Sequence, residues 1–387
     1  MAYLFWAALV MTLTYNLRRT LSLTTIIQAL ASALLLGALV VSCLEFWLRF
    51  RLGHAGSWGG MNQANSYSDY LTLGLASALY LAAKQSKARS WLTIGLAVCA
   101  AVLVVGLSLS TSRSIWFYLL ALAVLAGLGR CQQKRGLLTG VAMAMFILMQ
   151  LIWSMDWMPT TTTTSAAHIE TSGERFVEHV GDTPIRLHIW QVAWQLFKES
   201  PWLGQGFGQF DWAYFAAGDP LPEVPGRIDN AHNLIMQLLA ELGLLPVVIL
   251  LAALGLWLCG FVKVQLSLEG WWLSALLAVL GLHSLLEYPL WYSYFLGIAA
   301  LLLGLGEQKA YRLQVNRVGR WALGLALVVL IGFCINHTIS YTRMENMIYA
   351  VEHDRYKSSK SAFVAAMKQV SENTPTLAPY VAGSRYF

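Results

Sequence analysis

Charge is scarce in this chain. Only 12% of its 387 residues are Asp, Glu, Lys or Arg, against 57% hydrophobic ones, and the mean hydropathy is +0.56. A soluble domain of ordinary size does not fit that balance. The net charge of +6 is scattered over short loops and forms no single patch, which excludes nucleic acid as an expected partner. The five cysteines, Cys43, Cys99, Cys131, Cys259 and Cys334, sit in or beside apolar stretches without a CxxC pair. That pattern gives neither a disulfide framework nor a zinc site. There is no HExxH, no Walker A loop and no DxD, so no metal or nucleotide cofactor is expected. Met1–Tyr15 lacks a basic leader and a small-residue cleavage site, and reads as a span, not a removed signal.

What the chain does have is apolar runs long enough to cross a bilayer, for which about 20 helical residues suffice. Residues 21–44, 91–112, 136–155, 234–262, 271–286, 290–306 and 321–340 qualify, with 1–15, 67–83 and 114–129 as shorter or weaker candidates. The expected fold is all-α, a polytopic transmembrane bundle of about ten spans. Arg18/Arg19, Lys84/Lys87/Arg89, Arg130/Lys134/Arg135, Lys263 and Lys309/Arg312/Arg317/Arg320 fall in alternate loops, which the positive-inside rule places in the cytoplasm. The division is then N-terminal spans 1–155, a large periplasmic loop 156–232, C-terminal spans 233–340 and a periplasmic helical tail 341–387. The loop opens with a flexible Pro159–Thr164 run. In Ile185–Phe197, Leu187, Trp190, Trp194 and Phe197 fall near helical spacing. This predicts an amphipathic helix lying on the membrane surface.

Several polar residues stand out against this background. His232 opens the apolar run from Leu234. With Asp229 or Asn230 as cap, it falls in the first helical turn, where the helix dipole disfavours a charged imidazole. Two readings stay open: a hydrogen-bonded, inert interfacial histidine, or a neutral proton acceptor. Glu241 falls on the opposite side of that helix and is not its partner. Arg113 lies between two spans on the outer side, so it is either a snorkelling anchor or a ligand for phosphate oxygens. Arg186 shares a face with Trp190 and Trp194, as a solvated charge or a lipid-phosphate site. The 204–208 glycine cluster reads as a tight turn. His283 to Phe295 interrupts an apolar run. There Glu287 is costly in lipid, Pro289 breaks the helix, and Tyr288, Trp291, Tyr292 and Tyr294 form a hairpin-tip aromatic belt or part of a site. Gln63 lies in a polar, glycine-rich approach to a span.

These motifs together resemble the bacterial O-antigen ligase/polymerase superfamily, and within it the PglL-like protein O-oligosaccharyltransferases. The shared pieces are Gly59…Gln63-Ala64-Asn65, Ser112-Arg113, Arg186…Trp190, Pro201…Gly204-Gln205-Gly206, His232-Asn233…Ala240-Glu241-Leu242-Gly243 and Glu287-Tyr288-Pro289-Leu290-Trp291-Tyr292. The resemblance implies a multi-pass glycosyltransferase of the bacterial inner membrane with its active site facing the periplasm. Its donor would be an undecaprenyl-pyrophosphate-linked glycan. Its acceptor would be a Ser or Thr of a periplasmic, pilin-like protein, or lipid A-core in the ligase branch. His232 and Tyr288 take the catalytic places by that resemblance; Arg113, Arg186, Gln63 and Glu287 take substrate-binding ones. A polymerase and, further off, a flippase of lipid-linked glycan are the rival readings. The chain departs from what the resemblance implies at its ends: the family typically has about twelve spans and a larger periplasmic C-terminal region, against about ten spans and a short tail here.

Overall fold

The computed structural model describes residues 2–52, 56–61, 63–85, 91–127, 132–153, 184–217, 228–261, 267–308 and 316–352, together with 365, 368–369 and 372–373. Helices joined by turns and short loops make up the described residues, with no strand among them. The helices are α1 (Ala2–Thr20), α2 (Leu23–Arg51), α3 (Ala64–Lys84), α4 (Trp91–Ser108), α5 (Ser114–Gly127), α6 (Gln132–Trp153), α7 (Pro184–Glu199), α8 (Phe210–Ala216), α9 (Leu234–Leu242), α10 (Leu244–Phe261), α11 (Leu268–Leu286), α12 (Ser293–Gly306) and α13 (Arg317–Glu352). Six of them are long and apolar enough to cross a membrane: α2, α10, α11, the stretch 136–153 of α6, α4, and 317–343 of α13. The other expected spans are helices too, but α5 and α12 are short. The run Pro159–Thr164 lies outside the described residues.

Two compact units make up the chain, one of residues 7–309 and one of 1–6 with 310–387. In the second, α13 runs unbroken from Arg317 to Glu352, past the expected boundary at 340. In the first, α3 is the central element. It is buried along Ser66–Tyr80 and packs on α2, α4 and α11. Serine caps start two of the surrounding helices: Ser22 Oγ accepts from Thr25 N–H and Ser267 Oγ from Gly270 N–H.

Helices α3 and α11 run antiparallel and are joined at four levels. Lys84 Nζ reaches Glu269 Oε1 at 2.6 Å, and Thr24 of α2 donates to the same oxygen. Trp272 Nε1 donates to Ser77 Oγ at 3.0 Å. His283 Nδ1 lies 2.6 Å from Asp69 Oδ2, and Asn65 Nδ2 donates to Glu287 Oε1 at 2.8 Å. Within a membrane each cross-helix hydrogen bond averages only about 0.6 kcal/mol. Their larger effect is on register, because a slip would strand every one of these groups in an apolar interior.

The expected single span 234–262 is two helices. The break falls at Gly243, with φ +75°, against the 200–206 turn, where Gly204 has φ +66°. Gln205 and Gly206 N–H donate to the carbonyls of Ala240 and Glu241, and Leu244 N–H to Pro201 O. The backbones approach so closely that a Cβ on Gly204 would overlap the Glu241 carbonyl. Thus α9 folds back on α7, burying Ile189, Val192, Ala193 and Leu196 with Phe210, Ala231 and Ala240. The packed face of α7 therefore centres on Ile189, Val192, Ala193 and Leu196, with Trp190 half-buried at its edge and Trp194 exposed. Only α10 remains lipid-like, with Val248, Ile249, Leu251 and Leu256 exposed. Gly204→Ala should cost about 1–2 kcal/mol for handedness alone, plus the steric overlap. A melting temperature in detergent equal to that of the wild type would contradict this account of the turn.

Candidate functional site

The site is assembled where α3 begins and α11 ends. Asn233 caps α9: its Oδ1 accepts from Ile235 and Met236 N–H, at 3.0 and 3.1 Å. Neither Asp229 nor Asn230 is the cap, and His232 precedes the helix, outside its first turn. The reason is local geometry. His232 has φ +48°, a left-handed conformation rare for a side-chain-bearing residue. Such strain costs about 1–3 kcal/mol and persists only where the surroundings impose it. Here they do. Trp190 Nε1 donates to Ala231 O at 2.9 Å, Ala231 N–H donates to Gln237 Oε1 at 2.7 Å, and Asn233 Nδ2 donates to Leu285 O at 3.0 Å. The chain is pinned on both sides of the histidine.

Glu287 caps the C-terminus of α11, just before Pro289 stops the helix. Its carboxylate is 4% exposed and fully engaged. Oε2 meets His232 Nδ1 at 2.5 Å, while Oε1 receives Arg186 at 2.6 Å and Asn65 Nδ2 at 2.8 Å. Burial pushes this carboxyl upward. The hydrogen bond and charge of His232, then the charges of Arg186 and His283, outweigh it, and the net displacement is downward. The sequence offered no carboxylate beside His232, because Glu287 is 55 residues away in the chain. In the neutral ring, the tautomer that donates from Nδ1 to the Glu287 carboxylate leaves the Nε2 lone pair open.

Tyr288 stands edge-on to the His232 ring, centroids 5.2 Å apart. Burial, then Tyr292, Glu287 and Asp229, raise its phenol, so it stays neutral near pH 7. Gln63 lies at the N-cap position of α3, its Oε1 accepting from Ser66 Oγ at 2.7 Å. Ser112, in the α4–α5 turn, donates to Asn65 Oδ1 at 2.6 Å. That bond fixes which end of the Asn65 amide faces Glu287. Arg113 follows directly and is half-buried.

Four of the expected residues are therefore in direct contact (His232, Arg186, Glu287 and Tyr288), while Gln63 and Arg113 flank them through Asn65 and Ser112. Asn65, Ser112 and Asn233 are the participants that residue-by-residue reading missed. Glu241 is buried and bonded to Gln237 Nε2 and Phe210 N–H, away from His232. A cavity of about 200 Å³ opens beside the imidazole, lined by Ile185, Ile189, Ile228, Asp229, Asn230, His232 and Tyr288.

A carboxyl depressed by folding stabilises the fold above its ordinary value of 4.5 and loses that contribution as pH falls below it. Wild type should therefore lose melting temperature on acidification from about pH 6 to about pH 3.5 more steeply than Glu287→Gln. Parallel melting curves for the two would refute the linkage.

Residues 98–251 match the O-antigen ligase family, and residues 271–369 match the C-terminal region of virulence factor membrane-bound polymerases. A general O-oligosaccharyltransferase of Acinetobacter baylyi is 26% identical over 85% of this chain. The chain spans 60% of the length of that curated relative. Arg113, Arg186 and His232 fall within the first match, and Glu287 and Tyr288 within the second. The chain is thus similar to the O-antigen ligase family over residues 98–251 and resembles a general O-oligosaccharyltransferase along most of its length.

Proposed function

We propose that this chain transfers a glycan from undecaprenyl pyrophosphate to a Ser or Thr hydroxyl of a periplasmic protein, at the outer face of the bacterial inner membrane. The observation that carries the reading is the His232–Glu287 contact. With Nδ1 held at 2.5 Å, Nε2 is the atom that takes the acceptor's proton. The acceptor oxygen attacks the anomeric carbon from the side opposite the pyrophosphate. The bond from that carbon to the pyrophosphate oxygen breaks, its electron pair leaves with the oxygen, and configuration inverts. Glu287 balances the imidazolium that forms, and tautomer control of this kind is a positioning role.

Arg186 spends one nitrogen on Glu287 and keeps the rest of its fork for phosphate oxygens. Arg113 supplies the second cation at the pyrophosphate, and charge neutralisation eases departure of the leaving group. Gln63 binds on the α3 side. Tyr288, a neutral phenol, donates a hydrogen bond to the substrate beside the histidine. Removing the general base should slow transfer by about 10²–10⁴-fold. Transfer at wild-type rate by His232→Ala, present at normal levels in membranes, would disprove the base role.

A second reading is favoured by the two family matches, which are to an O-antigen ligase and to a membrane-bound polymerase. In it the attacking hydroxyl belongs to lipid A-core or another sugar. Cells lacking the native enzyme, supplied with a pilin-like acceptor and a lipopolysaccharide acceptor, separate the two. Label on the protein alone supports the first, and label on the lipopolysaccharide alone replaces it with the second.

A further inference from the structure

One turn below Glu287 on α11 lies His283, and one turn along α3 from Asn65 lies Asp69. His283 and Asp69 are 1% and 0% exposed, and Nδ1 meets Oδ2 at 2.6 Å. The pairs therefore repeat at helical spacing on both helices, Asn65–Glu287 at the site and Asp69–His283 beneath it. Ionisable groups in a membrane interior are costly and mark function by default. An apolar contact would join these helices at less desolvation cost. Nothing in the transfer chemistry touches this pair.

We propose that Asp69 and His283 are positioning residues for the transfer: their hydrogen bond sets the register of α3 against α11 at which Glu287 meets His232 and Asn65 together. The proposal rests on the glycosyl-transfer reading above. The geometry explains why an acid and an imidazole are used here. One short bond between two stiffly held rotamers fixes the helices along their axes, whereas leucine-like packing tolerates a slide. The ring of His283 is walled by Phe295 of α12 at 5.6 Å and Tyr118 of α5 at 6.3 Å, so it has no room to follow a shifted partner. The register then passes up one turn of each helix to Asn65 and Glu287. The other titratable groups that sense the pair are Tyr118 and Tyr294, through Asp69, and Glu287, through His283.

The test compares purified wild type with the double variant Asp69→Leu/His283→Phe, which keeps apolar bulk and leaves no buried charge unpaired. The expected result is normal accumulation, kcat at least about 10-fold lower, and KM for the lipid-linked donor within about 2-fold, the split that a transition-state interaction produces. Ser77→Ala, which removes a cross-link remote from the site, should leave both constants unchanged. A double variant that transfers at wild-type rate overturns the proposal.

Should the double variant not accumulate, Asp69→Asn is read instead, since it keeps an oxygen to accept from His283. Because that hydrogen bond survives, Asp69→Asn should hold kcat within about 2-fold of wild type, whereas Asp69→Ala should lose at least about 10-fold with KM within about 2-fold. Equal kcat for the two variants overturns the proposal. Wild type that transfers nothing overturns the underlying reading and this inference with it. An active wild type beside an unaltered variant overturns the inference alone.

Discussion

The arrangement depends on one buried carboxylate. Glu287 has two oxygens and three donors: His232 on one, Arg186 and Asn65 on the other. Each donor arrives on a different part of the chain, the approach to α9, the start of α7 and the start of α3. A carboxylate at 4% exposure is tolerable only when it is hydrogen-bonded and paired. Withdrawing any one donor leaves the others facing an under-compensated charge, so the four groups hold or fail together. That mutual dependence makes the imidazole's orientation a property of the whole first unit.

The helical framework serves this requirement in a solvent where apolar attraction cannot set register. Lipid tails are as apolar as leucine, so two spans gain little from hydrophobic contact alone. The α3–α11 pair instead carries polar cross-links at its two ends and at two levels between them. Each is weak, but each defines one axial position. The α9–α10 break does the same for the other half of the site. Glycines at 204 and 243 let two backbones touch, and the contact turns α9 out of line with α10 and onto α7, where Trp190 can hold the Ala231 carbonyl.

Sequence patterns disclosed the helices well and the partnerships poorly. Composition and run length were enough to find helix within every expected span, as two helices in 234–262, since a strong periodic signal decides helix existence. The 234–262 run was misjudged because nothing local distinguishes Gly243 as a break from a tolerated glycine. The distinction comes from Pro201 and Gly204, some forty residues earlier. His232 was legible as a candidate because a titratable residue before a long apolar run is conspicuous. Its cap, its backbone conformation and its carboxylate were not, for these depend on Leu285, Trp190 and Glu287. Asn65 illustrates the limit: a small amide in a first helical turn has many uses, and only Ser112 and Glu287 together give it one.

Strain at His232 ties these threads together. A left-handed histidine is paid for by contacts on both sides, from Trp190, Gln237, Asn233 and Glu287. The Ala231–Gln237 bond is local to α9, but the other three join separate helices and are lost if α7, α9 and α11 are docked in any other way. A relaxed backbone at 232 would swing the ring off Glu287 and release Nδ1. Either ring nitrogen could then carry the proton, and the open lone pair would no longer be fixed in place. The chemistry of the imidazole is therefore gated by the docking of helices that carry none of the reacting atoms. A partly assembled bundle would hold every site residue in its sequence and still lack an oriented base.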